Sequence, residues 1–286
     1  MQHLGEALRE AVESMIPSPS DDYYCPICEN LVPKQKINIL GVEKTVQPRC
    51  PCEVAAWEKD VTAAVERKER AEIERKFNLS ALGERFQLYT FDRFKSRPGS
   101  EKAFEIAQRY AARFDGANGM SLLIWGDPGN GKSHLAGAIY HEIKARGYIP
   151  VFQSVPELLG RIRSTFRKGA NESESEIMHA VLKCDLLILD DIGAEKVSDW
   201  VLEVLFRIID GRYRDKRPTL FTTNFTPTEL LKRFMPESPT VEQEIAAKRI
   251  HDRILEVSVI VENKATSYRR EMAVERARRL LEGDEG

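Results

Sequence analysis

The stretch Ser121-Leu122-Leu123-Ile124-Trp125-Gly126-Asp127-Pro128-Gly129-Asn130-Gly131-Lys132-Ser133 decides how the rest of the chain is read. Its first five residues carry no charge and read as a short buried strand. Gly126 to Ser133 then fits the spacing Gly, four residues, Gly-Lys-Ser/Thr, and Ser133 to Arg146 continues as a helix. The chemistry requires these residue types. Glycines let backbone N–H groups close around a phosphate chain, Lys132 places a cation on the β and γ phosphates, and the Ser133 hydroxyl can ligate Mg²⁺. Gly126, Asp127, Pro128, Gly129, Asn130, Gly131, Lys132 and Ser133 are therefore the candidate nucleoside triphosphate loop. A glycine-rich turn with an incidental lysine is the bland alternative, and the strand before and the helix after argue against it.

Around this loop the composition sets bounds. At 286 residues the chain has room for about two domains. It has no apolar run long enough to span a membrane, and Met1 to Ser20 has no apolar block of the signal-peptide kind, so a cytoplasmic location is expected. The formal net charge of -2 means that any nucleic-acid binding must come from a local basic patch. Four of the five cysteines form two pairs, Cys25/Cys28 and Cys50/Cys52. In a reducing compartment, pairs flanking a short loop read as a tetrahedral thiolate zinc site. The second pair is CxC rather than the commoner CxxC, and a redox pair or unrelated core thiols are the alternatives. So small a segment has little core, so the metal would supply most of its folding energy. Cys184 stands alone before an apolar run and reads as a core residue.

Further out, Leu4 to Met15 is a possible short helix, and Pro17 to Asp22 is linker-like. Val54 to Phe77 lacks Gly and Pro and carries Glu/Arg pairs at helical spacing, which predicts a long exposed helix. A solvated connector is the simpler reading of it, a partner-binding helix the other. The expected division is residues 1–80 for a small zinc-binding module with a charged linker helix and 81–286 for the nucleotide domain. Beyond Arg85, helices alternate with short apolar strands at Ser121–Trp125, Ile149–Gln153, Asp185–Asp190, Thr219–Thr223 and Val257–Val261. A helix from Glu101 to Phe114 starts behind Ser100 as N-cap. This is the pattern of an α/β domain with a parallel sheet covered on both faces.

Two strand ends carry the chemistry. Leu186-Leu187-Ile188-Leu189 runs into Asp190-Asp191, which delivers carboxylates to the edge where α/β sheets bind ligands. Asp190 is placed to hold the Mg²⁺ shell, and Asp191 to polarise an attacking water. Thr219 to Thr223 ends in Asn224, which can orient that water beside the γ-phosphate; a turn-forming Asn before Pro227 is the alternative. Downstream, Arg249 and Arg253 stand four apart on one helix face.

Taken together, Gly126–Ser133, Leu-Ile-Leu-Asp-Asp-Ile-Gly-Ala-Glu (187–195), Thr-Thr-Asn (222–224), Arg-Ile-His-Asp-Arg (249–253) and Ser-Tyr-Arg (267–269) resemble the AAA+ ATPases of the bacterial DnaC/DnaI-type helicase loaders and their phage relatives. The two cysteine pairs, the charged helix and Arg85-Phe86-Gln87-Leu88-Tyr89-Thr90-Phe91-Asp92-Arg93-Phe94 look like that family too, so the resemblance covers roughly residues 23 to 270. It implies ATP and Mg²⁺ as cofactors, besides Zn²⁺. It also implies Asn224 as the sensor-1 residue, Arg253 as an arginine finger assisted by Arg249, and Arg269 as the sensor-2 arginine. A finger acts on a neighbour's nucleotide, so self-association follows. Many AAA+ proteins have Glu where this chain has Asp191; the shorter carboxylate stands further from the water, so slow, assembly-stimulated hydrolysis is expected. The resemblance further implies a hexameric replicative helicase and single-stranded DNA as partners, with no membrane.

The DNA expectation falls on Val155 to Ala170, read as one amphipathic basic helix, with an ordinary surface helix as the alternative. Val155, Leu158, Leu159, Ile162 and Phe166 share its apolar face, with Arg161, Arg163, Arg167 and Lys168 flanking the other. Phe166 is thereby assigned to the core. A transposition ATPase of the IstB type, acting on duplex DNA with a transposase, is the alternative function. The four-cysteine module favours the loader.

Overall fold

The computed structural model describes residues 23–39, 41–77, 84–116, 119–167, 169 and 171–282. The expected helix at Leu4–Met15, the Pro17–Asp22 linker, the division at 80 and Lys168 lie outside them. The chain forms two compact units, Met1–Glu69 and Arg70–Gly286.

The first unit contains two small antiparallel hairpins, β1 (Tyr23–Tyr24) with β2 (Leu31–Val32) and β3 (Gln35–Ile39) with β4 (Val42–Val46). Helix α1 (Pro51–Lys76) starts there, and its last two turns belong to the second unit. Glu53 caps its start by accepting the Cys50 N–H (3.0 Å) and the Tyr23 hydroxyl (2.6 Å). Buried residues in this unit are few: Cys25, Val32 and Cys50 form its small apolar cluster.

In the second unit, the short α2 (Glu84–Gln87) and α3 (Glu101–Arg113) precede β5 (Ser121–Trp125) and α4 (Lys132–Ala145). There follow β6 (Pro150–Ser154), α5 (Val155–Ser164), α6 (Glu174–Lys183), β7 (Leu186–Asp190) and α7 (Asp199–Arg214). The chain ends with β8 (Thr219–Thr223), α8 (Pro227–Arg233), α9 (Val241–Val257), β9 (Ser258–Glu262) and α10 (Tyr268–Glu282). The five strands make one parallel sheet in the order β6-β7-β8-β5-β9. This is the expected α/β architecture, with strand ends displaced by no more than a residue.

Alternation along the strands sorts side chains to two cores. Leu122, Ile124, Leu186, Ile188 and Leu220 pack with α3 and α4; Leu123, Val151, Leu187, Leu189 and Phe221 pack with α5 to α9. Each such side chain contributes about 1.5–3 kcal/mol by leaving water. Capping boxes fix the starts of α6 (Ser173, Glu176), α8 (Thr226, Glu229) and α9 (Thr240, Gln243). Ser100 departs from its expected capping role. Its hydroxyl turns back to Arg97, donating to the carbonyl (2.7 Å) and accepting the N–H (2.8 Å).

The topology places the chemistry. Strands β7, β8 and β5 are neighbours, so the turns at their C-terminal ends converge on one edge of the sheet. Cys184 is buried as expected, beside the fully enclosed guanidinium of Arg212, which donates to the Val181, Cys184 and Pro218 carbonyls. No helix of the described residues is long and apolar enough to cross a membrane.

Candidate nucleotide site and its surroundings

At that edge lies a cavity of about 360 Å³ lined by the loop Pro128–Ser133 together with Asp191, Asn224 and Arg269. The loop needs its glycines for conformation: Gly126, Gly129 and Gly131 have φ of 142°, 82° and 105°, which L side chains rarely adopt. Lys132 is buried, and its Nζ donates to the carbonyls of Gly126 (2.7 Å) and Asp127 (2.9 Å) and to Oδ1 of Asn130 (3.2 Å) and Asn224 (2.9 Å). The Asn224 amide then donates to Asp191 Oδ1 (3.2 Å). Three strand ends are thus joined in one hydrogen-bonded chain, Lys132 to Asn224 to Asp191.

Asp190 is buried behind this chain and accepts the Thr222 hydroxyl at 2.5 Å, while Thr222 Oγ1 accepts the Asp191 N–H (3.0 Å). Asp191 has φ of 57°, a left-handed conformation that aspartate tolerates better than most residues, and it turns the chain so that both carboxylates face the loop. Burial pushes the Asp190 carboxyl up to about 6, helped by the neighbouring Asp191 charge and opposed by the Thr222 and Ser133 hydroxyls. Burial likewise brings Lys132 down to about 8, against the pull of Asp191, Asp190 and Asp127. The site therefore holds a poorly solvated cation beside one buried and one partly exposed carboxylate, an environment that a polyanion with a divalent cation complements.

Part of the cavity wall is absent from the sequence expectations as a site. The Tyr89 ring stacks on His134 at 4.9 Å, Phe94 meets His134 edge-on at 5.3 Å, and the His134 ring is anchored to the Thr90 carbonyl (2.8 Å). Arg97 and Tyr268 close another side. Among the signals in the sequence, the family-like stretches Arg85–Phe94 and Ser267–Arg269 pointed toward this wall.

Arg253 lies outside this cavity. Its guanidinium pairs with Asp210 at 2.7 Å and sits over the rings of Phe206 (5.2 Å) and Tyr213 (5.4 Å). Arg249, one turn earlier on α9, is exposed.

In the first unit, the sulfurs of Cys25, Cys28, Cys50 and Cys52 all lie within 4.8 Å of one another. Cys25 and Cys52 approach to 3.2 Å, Cys28 and Cys50 to 3.6 Å, and none is in a disulfide. A tetrahedral thiolate site with Zn–S of about 2.3 Å places sulfurs roughly 3.8 Å apart, so the cluster fits such an ion. The Ile27 N–H points at Cys25 Sγ (3.4 Å), a hydrogen bond that favours the thiolate.

The basic helix departs from expectation. It ends at Ser164, where the Ser164 and Thr165 hydroxyls donate back to the Arg161 and Ile162 carbonyls, both at 2.7 Å. The next residues tighten to i→i−3 bonds, Phe166 N–H to Arg163 O (3.3 Å) and Arg167 N–H to Ser164 O (3.2 Å). That tighter turn carries Phe166 off the apolar face. Phe166 is 59% exposed and its ring meets Trp200 edge-on at 6.2 Å, so the assignment to the core is corrected. Arg163 lies over the other part of this patch, 4.7 Å from the Trp200 ring centre, and Arg167 is exposed. Arg161 is committed elsewhere: it holds Glu172 through two bonds (2.6 and 2.8 Å), donates to the Lys76 carbonyl (3.1 Å) and covers the Phe77 ring.

Comparison with known proteins adds a third kind of observation. A family model described as IstB-like ATP binding protein matches residues 59–276. The replicative helicase loader DnaC of Escherichia coli (strain K12) is 33% identical over 186 residues, which are 63% of this chain and 75% of that protein. A crystal structure of DnaI superposes with a TM-score of 0.51 at 31% identity, covering 60% of this chain and 88% of the other. A crystal structure of the DnaC helicase loader superposes with a TM-score of 0.54 at 24% identity, covering 64% and 100%.

Proposed function

The chain belongs to the DnaC/DnaI-type replicative helicase loaders, within the IstB-like ATP binding proteins, and from that membership we propose that it is a cytoplasmic ATP-dependent loader of a hexameric replicative helicase. The observation that carries the ATPase part is the hydrogen-bonded chain from Lys132 through Asn224 to Asp191, set beside buried Asp190. Lys132 and the loop N–H groups bind the phosphates; Ser133 and Asp190 would hold Mg²⁺, which when bound neutralises phosphate charge. Asp191 orients the attacking water and takes its proton, and Asn224 holds Asp191 and that water in line. Arg269, on the cavity wall, steadies the phosphates from the C-terminal side. Arg253 and Arg249 lie outside their own chain's cavity, which suits groups that serve a neighbour's nucleotide across an assembled interface.

The rest of the reading is built on the other surfaces. Four converging thiolates hold a structural Zn²⁺ in the N-terminal module, residues 1–80, which makes the helicase contact. The exposed Phe166 with Trp200, Arg163 and Arg167 gives single-stranded DNA a ring to stack on and cations for its backbone. Transposition with a transposase is the second reading that the family's name admits. The matched helicase loaders favour loading over it.

The test is capture from host lysate with full-length, metal-loaded protein as bait, in the presence of ATP and followed by mass spectrometry. Enrichment of a helicase hexamer is expected; enrichment of a transposase with no helicase would overturn the loader reading.

A further inference from the structure

The phosphate loop is fastened to the chain that follows β9. The Asn130 side-chain amide donates to the Asn263 carbonyl (2.6 Å), and the Asn263 side-chain amide donates to the Asn130 carbonyl (3.1 Å). Both residues are fully buried. Asn263 is satisfied all round: its own N–H reaches the Trp125 carbonyl at the end of β5 (2.8 Å), and its Oδ1 accepts the Ala265 N–H (3.3 Å). One residue earlier in the loop, the Gly129 carbonyl accepts the Tyr268 N–H (2.9 Å). The fit leaves no room. A Cβ on Gly126 would stand 2.3 Å from the Asn263 carbonyl oxygen, and one on Gly129 2.4 Å from Ser267 Oγ. Two glycines of the loop are therefore demanded by this contact as well as by phosphate.

Arg97 wraps the same joint from the third side. Its Nη2 donates to the Asn130 carbonyl (3.1 Å), and its Nη1 donates to the Thr266 carbonyl (2.6 Å) and the Glu271 carboxylate (3.0 Å). Its guanidinium lies over the Tyr268 ring at 5.4 Å. A single planar group thus touches the loop, the connection after β9 and the first turn of α10, which also carries Arg269. The segment bearing Arg97 is itself docked there, since the Lys264 N–H donates to the Gly99 carbonyl (3.0 Å).

We propose that Asn263 and Arg97 are positioning residues that lock the phosphate loop to the segment carrying Arg269, so that nucleotide in the loop and helix α10 respond as one body. This rests on the nucleotide reading of the loop and not on the helicase partner. Asn130 is the link: its Oδ1 accepts Lys132 Nζ while its Nδ2 holds Asn263, so a shift of Lys132 toward phosphate is felt at Asn263. The planar, forked guanidinium suits three acceptors at once, which a lysine ammonium on a flexible stem matches poorly.

The test uses the full chain with ATP as probe, through steady-state hydrolysis and hydrogen exchange over residues 268–281. In the wild type, ATP should slow exchange in the first turns of α10. Arg97→Ala should lower kcat at least tenfold with KM changed less than threefold, and should abolish that slowing. Arg97→Lys should recover part of each. Asn263→Asp places a carboxylate oxygen against the Asn130 carbonyl and should weaken ATP binding at least tenfold; if that variant does not fold, the two Arg97 variants decide. ATP protection of α10 undiminished in Arg97→Ala, or kcat and KM both unchanged, would overturn the proposal. Wild-type protein that binds no ATP would overturn the nucleotide reading itself, and this proposal with it.

Discussion

Asn224 touches both Lys132 and Asp191, so replacing it separates the cation from the carboxylate without deleting either. Asn224→Ala should leave ATP affinity within a few-fold, because Lys132 and the loop N–H groups remain. Hydrolysis should fall by about 10²-fold, the size of effect seen when one oriented donor is lost from a reacting centre. A comparable rise in KM with kcat preserved would make Asn224 a binding residue only. Arg253 gives a second test. Its pair with Asp210 lies outside the cavity, so Asp210→Asn should leave the nucleotide affinity of the isolated chain unaltered while destabilising it by about 2 kcal/mol, read as a lower urea midpoint. A changed ATP affinity in that variant would show that the Arg253 region reaches the pocket of its own chain. The loop residues, Asp190, Asp191 and Asn224 were legible because each sits at a fixed offset from a glycine pattern or an apolar strand. Arg97 and Asn263 were not. Their partners are in large part main-chain groups brought close by the β9 crossover, and no spacing in the chain encodes a contact between residues 97, 130 and 263.

The end of α5 shows what periodicity cannot see. A continuous 3.6-residue pattern assigned Phe166 to the apolar face, but the helix ends at Ser164 and the tighter turn that follows leaves the ring at the surface. Trp200, at the start of α7, completes that patch through tertiary packing alone. If the patch grips single strands, Trp200→Ala and Phe166→Ala should each weaken binding by about 1–3 kcal/mol, the range for loss of one stacked base. Replacing Arg163 and Arg167 by Gln should flatten the salt dependence by about 1.4 in log–log slope, at ~0.7 per phosphate contact on single strands. Titration of a labelled oligonucleotide at several salt concentrations measures both. Unchanged affinity and slope would place the DNA path on another surface. The strands, by contrast, were readable to within a residue, since short uncharged runs between turn residues leave a parallel, doubly covered sheet little freedom of register.

For the molecule as a whole, two separable dependences are expected. One Zn²⁺ per chain should be found by elemental analysis, and a strong chelator should unfold the first unit, for which metal binding supplies on the order of 10 kcal/mol. ATP binding by the second unit, whose core is its own sheet, should persist. Metal-free protein with the first unit still folded would refute the zinc assignment. Catalysis should also be shared between chains. Lys132→Ala lacks the proposed phosphate cation and Arg253→Ala the group proposed to serve a neighbour, so mixing the two variants, each expected to be inactive, should restore part of the ATPase activity at interfaces that pair the intact halves. A mixture that assembles yet stays inactive would shift the role to Arg249. The loading function itself is tested most directly by transfer of the host's replicative helicase onto a closed single-stranded DNA circle, followed by unwinding of an annealed strand. Full-length protein with ATP should raise the amount of helicase on the circle well above the spontaneous level, and Lys132→Ala should not. Equal loading with and without the protein, at concentrations where it binds ATP, would contradict the account.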